Sequence, residues 1–177
     1  MSSERIQPLG GETAYEGKTF SVRVERFRHV DGEIVEREIV RRRDAAAIVA
    51  YDDEHVWLVR QPREAILAYT LELPAGQVDV EGESPLQTAR RELAEEIGRE
   101  ADDWLQILAF EPSTGYTDEV VHLFAATALR EVDVAPDPGE RIEIVPWPLA
   151  RLDAAFAATT DAKTLLGLDW LRRRLTA

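Results

Sequence analysis

Glu92, Glu95 and Glu96 fall within five consecutive positions of "ARRELAEEIG", residues 89–98, directly behind Arg90 and Arg91. Carboxylates that close repel one another. On a helix, at about 100° per residue, the three share one arc, and Glu92 and Glu96, four apart, aim at the same spot. Like charges at that spacing cost a few tenths of a kcal/mol, and glutamate is disfavoured toward the negative C-terminal end of a helix. Two arrangements answer this. Either the arc is a solvated face compensated by the arginines, or a divalent cation sits between the carboxylates. An oxygen-only donor set suits Mg²⁺, with Mn²⁺ the second choice.

The helix that must carry them has clear ends. Ser84 suits the N-cap, Pro85 the first helical position, and Gln87 is placed to close a capping box. Gly98 is the expected stop. Leu86, Ala89, Leu93 and Ile97 recur at helical spacing as the buried stripe.

Around this helix the chain reads mostly as strands. Residues 20–40 form two strands about the Asp31-Gly32 turn, with Phe20, Val22 and Val24 on one face. The alternation slips at Arg26 and Phe27, so a bulge falls there or both faces are partly covered. A lone hairpin is marginal in water and must pack on the rest of the chain or on a second copy. Residues 45–51 and 55–61 are almost continuously apolar and lie deeper. "YTLELPAG" (69–76) is a short strand ended by Pro74 and Gly76. Residues 105–111 and 119–129 are further strands, joined by the turn-rich "PSTGYTD". Residues 132–140 form a loop, and "RIEIVPW" (141–147) a last strand. Two helical patterns follow, 149–158 and 161–175; in the second, Leu165, Leu168 and Leu171 mark one face. The class is α+β: a mixed sheet with three helices, laid out as an α/β/α sandwich, plus an N-terminal antiparallel hairpin.

Bulk composition narrows the partners. The 177 residues are 45% hydrophobic and 31% charged, enough for one ordinary domain or one domain with an appendage. A formal net charge of −13 argues against nucleic acid or an anionic membrane as partner. There is no cysteine, which excludes disulfides, thiolate metal sites and cysteine nucleophiles. The start has no apolar core, so no signal peptide is expected, and no apolar run approaches a membrane span. The expected location is the cytoplasm.

Residues 76–98, "GQVDVEGESPLQTARRELAEEIG", resemble the Nudix box: Gly, five residues, Glu, seven residues, then Arg-Glu-aliphatic-x-Glu-Glu-x-Gly and an aliphatic residue. Glu83 to Arg91 has the required seven between, and Arg91 through Gly98 matches throughout. There are two departures. Six residues rather than five separate Gly76 from Glu83, and Arg99 stands where an aliphatic residue is usual. The resemblance implies the Nudix fold and hydrolysis of a nucleoside diphosphate linked to another group. It implies Glu92 and Glu96 as principal metal ligands, with Glu95 sharing the cluster and the Ala75 carbonyl completing it. Glu83 and Arg91 are expected to pair and hold loop to helix.

"VRQ" (59–61), "LELPAG" (71–76), "PSTGYTDEVVHLF" (112–124) and "DAKTLLGL" (161–168) resemble segments of the ADP-ribose pyrophosphatase branch. Pro112, sixteen residues after Glu96, is close to that branch's marker proline. By this resemblance Arg60 points at the diphosphate, and Gly76 and Pro112 lie beside the substrate. Glu72 either adds to the polar lining of the cleft or merely flanks its strand. Glu140, on the loop, is the candidate general base, with Glu143 and Glu119 as competitors. Pro62 stands where relatives often carry an aromatic, so the adenine clamp is not named by the pattern. Residues 1–43 are then a dimerisation element and residues 44–177 the hydrolase domain. Arg41, Arg42 and Arg43 lie near an anionic ligand or form a solvated basic turn. The expected protein is a homodimeric, Mg²⁺-dependent hydrolase that splits ADP-ribose, or a related ADP-sugar, into AMP and ribose 5-phosphate. The alternatives are a Nudix hydrolase for another nucleoside diphosphate derivative and a non-catalytic module that senses a nucleotide sugar.

Overall fold

The computed structural model describes residues 5–135, 139 and 141–176, and the chain divides into two compact units. The smaller comprises the N-terminal residues through Arg43 together with Glu111–Val120. It holds a three-stranded antiparallel sheet, ordered β1 (Gln7–Glu16), β2 (Phe20–Arg28), β3 (Ile34–Arg42). The hairpin turns where expected: Gly32 has φ +89°, and Asp31 Oδ1 accepts from the Glu33 N–H at 3.0 Å. β2 and β3 pair without a break from Phe20↔Arg42 to Arg28↔Ile34. The slip at Arg26–Phe27 is therefore met by partial cover on both faces, since Ser21 through Glu25 are all half-buried. The bulges lie instead in β1, a strand the pattern did not announce. Nearly every residue of "QPLGGETAYE" is exposed, so no alternation was available to mark it.

Among the described residues of this unit, no apolar side chain is buried; only Glu119 is. The 111–120 segment is tied to β3 by the Val40 N–H on the Tyr116 carbonyl at 2.7 Å. Arg41 bridges Glu25 and Asp118 at 2.8 Å each, and Arg42 pairs with Glu119 at 3.3 Å. Those two arginines thus answer carboxylates of their own unit.

The larger unit holds β4 (Ala45–Tyr51), β5 (His55–Arg63), β6 (Ala68–Glu72), β7 (Ala75–Gln77), β8 (Arg99–Phe110), β9 (Val121–Glu131) and β10 (Glu143–Pro148). Their sheet runs β10-β5-β4-β9-β8, with β6 paired to β5 and β7 to β4. The β4–β9 pair is parallel and the others antiparallel. The helices are α1 (Pro85–Ile97), α2 (Leu152–Ala158) and α3 (Ala162–Thr176). Ala89, Leu93 and Ile97 of α1 pack with Ala46, Ile48 and Ala50 of β4. Leu152 and Ala155 of α2 and Leu168 and Leu171 of α3 pack with Ala47 and Val49, the alternate residues of β4. Cover on both faces is why β4 reads as a continuous apolar run. The layers form the expected α/β/α sandwich with a mixed sheet.

Two elements differ from their pattern. β8 begins at Arg99, ahead of the expected 105, as an edge strand whose early residues, "READD", are nearly all charged and show no apolar alternation. "YTLELPAG" is two strands, because the chain leaves β5 after Glu72 and joins β4 at Ala75. Among the described residues, no helix is long and apolar enough to cross a membrane.

Candidate active site

The ends of α1 are built as its sequence specifies. The Ser84 N–H donates to Gln87 Oε1 at 2.8 Å, and the Gln87 N–H returns to Ser84 Oγ at 3.3 Å. Gly98 closes the helix at φ +63°, its N–H donating to the Ala94 and Leu93 carbonyls. Such a cap is worth about 1 kcal/mol. Its larger consequence is to fix where the helix starts, and so where its glutamates face. Glu92 is 7% exposed and Glu96 5%. Neither belongs to a solvated face; Glu95, half-buried, lies at the rim.

The β6–β7 switch brings backbone against these carboxylates. The Pro74 carbonyl accepts from the Ile48 N–H at 2.9 Å, and one residue on, the Ala75 N–H donates to Glu96 Oε2 at 3.1 Å. At Gly76 a Cβ would lie 2.0 Å from Glu92 Oε1 and 2.1 Å from its Cδ. The glycine is needed because the carboxylate rests on its Cα, not because of its backbone angle.

Arg91 ties the cluster together. Its Nη1 donates to Glu92 Oε1 at 2.7 Å and Glu95 Oε2 at 3.0 Å, and its Nε pairs with Glu83 Oε2 at 3.4 Å. The Thr88 hydroxyl also donates to Glu83, at 3.0 Å. Loop and helix are thus held as expected, with Arg91 engaged by three further carboxylates, those of Glu92, Glu95 and Asp79. Burial disfavours its charge, but Glu92, Glu95 and Glu83 outweigh that and raise its pKa above the ordinary guanidinium value.

Among the described residues, no three acidic or imidazole side chains are gathered closely enough to hold a metal ion as they stand. Glu92 and Glu95 converge on Arg91 instead. The donor chemistry nonetheless suits a hard divalent cation: buried carboxylates four residues apart, with strand backbone against them.

The remaining sequence-derived residues scatter. Arg60 on β5 is exposed, paired with Glu143 at 3.2 Å and set over the Tyr69 ring at 4.7 Å. Pro112 is exposed on the 111–120 segment of the smaller unit, where Glu119 also lies. Glu140 lies outside the described residues. Glu72 is 1% exposed, at the end of β6. Its side chain accepts from Arg63 Nε and Nη2 at 2.7 Å each, and from Thr70 and Lys163. Burial would raise the Glu72 pKa, yet Arg63 and Lys163 hold it at about 2. Arg63 and Lys163 were not singled out in the sequence. A glutamate inside "YTLELPAG" was the available signal, because a buried carboxylate requires cations.

A mixed-sheet sandwich with this capped, glutamate-bearing helix defines a class, and residues 41–167 match the NUDIX domain. The chain belongs to the Nudix family and is an enzyme of its hydrolase class. Within that family it is 40% identical over 133 residues to an ADP-ribose pyrophosphatase of Mycobacterium tuberculosis, spanning 75% of this chain and 64% of that protein. To the ADP-ribose pyrophosphatase of Bacillus subtilis it is 33% identical over 179 residues, 97% of this chain and 95% of that one. Among solved structures, that of an ADP compounds hydrolase matches with a TM-score of 0.87 at 25% identity, covering 99% of this chain and 97% of its own.

Proposed function

We propose that this enzyme hydrolyses ADP-ribose, with Mg²⁺, to AMP and ribose 5-phosphate. One observation carries the reading: Glu92 and Glu96 are buried side by side against the Ala75–Gly76 backbone. The ADP-ribose pyrophosphatases among its relatives supply the substrate. Glu92, Glu96 and Glu95, with the Ala75 carbonyl, would hold the ion, and Mn²⁺ would serve in its place. Bound there, the ion would supply positive charge against the diphosphate and acidify a water. The Ala75 N–H fixes Glu96, Gly76 leaves room for Glu92, and Arg91 steadies Glu92 and Glu95. Arg60 draws in the diphosphate, Gly76 borders the substrate, and Glu140 takes the proton of the attacking water. The water oxygen bonds to one phosphorus as the bridging P–O bond breaks, which yields the two monophosphates. Residues 1–43 join two copies into a homodimer; a sheet with no buried apolar side chain supports this.

Product analysis with ADP-ribose and Mg²⁺ tests the reading, with Glu96→Gln alongside. AMP and ribose 5-phosphate from the wild type, and a turnover at least about 100-fold lower in the variant, are expected. An unchanged rate in the variant would sink the ligand assignment. The ADP compounds hydrolase likeness favours a second reading, in which another ADP-linked compound is preferred. A substrate panel separates the two by kcat/KM.

A further inference from the structure

Glu72 has no acceptor capacity left for a ligand. A carboxylate offers about four lone-pair directions. Oε1 takes Arg63 Nε and the Thr70 hydroxyl; Oε2 takes Arg63 Nη2 and the Lys163 ammonium. The bonds extend inward. Lys163 also pairs with Asp161 at 3.0 Å, and Asp161 accepts from the Thr164 N–H at 3.0 Å. Thr164 Oγ1 accepts from the Leu73 N–H at 2.8 Å, next to Glu72. The start of α3 is thereby bolted to the point where the chain leaves β6.

Arg63 is the outward end of this chain of bonds. Its side chain is 44% exposed while Glu72's is 2%. The carboxylate grips the Nε–Nη2 edge, which leaves Nη1 at the other edge of the planar guanidinium. Nη1 has no hydrogen-bond partner among the described residues. Glu72 lies three residues before Ala75, whose N–H donates to Glu96, so the guanidinium that Glu72 grips is tethered to the same short stretch of chain that meets the glutamate cluster. A bidentate guanidinium loses one orientation's worth of freedom once, at folding, rather than at each binding event.

We propose that Glu72 and Lys163 are positioning residues. They hold Arg63 so that its free Nη1 meets an anionic oxygen of the substrate beside Glu96, and neither touches the substrate. This rests on the reading of the substrate as a diphosphate, deepens it, and gives Glu72 an indirect role, neither lining the cleft itself nor merely flanking its strand.

Inorganic diphosphate is the probe, titrated calorimetrically into the full chain with Mg²⁺, beside kcat and KM for ADP-ribose. Glu72→Gln, Lys163→Met and Arg63→Met are each expected to weaken diphosphate binding by about tenfold or more and to raise KM more than they lower kcat. Lys163→Arg should restore binding. Adding Glu72→Gln to Arg63→Met should cost little more, because both remove one interaction. Should Glu72→Gln not fold, Lys163→Met with Arg63→Met makes the same cycle. Additive losses, or unchanged diphosphate affinity in the folded single variants, would overturn the proposal, as would a wild type that does not bind diphosphate. A wild type that binds diphosphate but leaves ADP-ribose intact would defeat the substrate assignment and leave this inference standing.

Discussion

Replacing Gly76 by alanine puts a Cβ 2.0 Å from Glu92 Oε1, 2.1 Å from its Cδ and 2.6 Å from its Oε2. A Cβ tolerates nothing nearer than about 3 Å, so the carboxylate must retreat by about 1 Å. The fold can absorb this, because the obstructing atoms end a flexible side chain. Gly76 is not in the left-handed region either, so the added methyl brings no backbone strain. It should even narrow the unfolded ensemble, a gain of about 0.4–1 kcal/mol where a site accepts alanine. The function cannot absorb it. A misplacement of about 1 Å in catalytic geometry costs on the order of 100-fold in rate. The expected variant melts within a few degrees of the wild type, turns over ADP-ribose about 100-fold more slowly, and needs more Mg²⁺ to reach half its maximal rate. Initial rates across a Mg²⁺ titration, with a thermal melt of the same sample, test all three. A wild-type kcat at saturating Mg²⁺ would refute the argument that Gly76 exists to seat Glu92.

Three further outcomes are expected. Glu72 titrates at about 2 in the folded chain against an ordinary 4.5, because Arg63 and Lys163 outweigh its burial. A lowered carboxylate pKa stabilises above the unfolded value, and that stability drains away as pH falls from about 4.5 toward 2; the full effect is about 3 kcal/mol. Urea unfolding of wild type and Glu72→Gln at pH 7 and pH 3 should show their difference shrinking at the lower pH; a constant difference would refute the assignment. Gly167→Ala would place a Cβ 2.6 Å from Leu73 Cδ1 and 2.8 Å from Val49 Cγ2. It should destabilise by about 1–3 kcal/mol through overpacking, and an unchanged unfolding midpoint would refute that. Deleting residues 1–41 should yield a species that sediments as a monomer and has lost activity; a stable, active monomer would dispose of the dimerisation role.

Local sequence determined a good deal of this protein by itself. α1 was readable because its signals act over a few residues: the Ser84–Gln87 box, Pro85, Gly98 and the Leu86-Ala89-Leu93-Ile97 stripe. β4 was readable because both of its faces are covered, and the Asp31-Gly32 turn because glycine accepts its positive φ. The spacing of the glutamates marked them for chemistry. Only the tertiary structure decided what they rest on. β1 had no apolar face to betray it, since its pairing to β2 is a backbone ladder helped by Arg23 on Thr13 and on the Gly11 carbonyl and by the Tyr15–Phe20 ring contact. The break at Leu73–Pro74 arises because one strand pairs with β5 and the next with β4, a choice made by the assembled sheet. That change of partner carries Ala75 to Glu96 and Gly76 to Glu92, contacts 21 and 16 positions apart in the chain. Lys163 reaches Glu72 across 91 positions, for the same reason. Hydrogen-bond caps and hydrophobic periodicity are local and survive in the sequence; which buried carboxylate finds which cation depends on how the layers close.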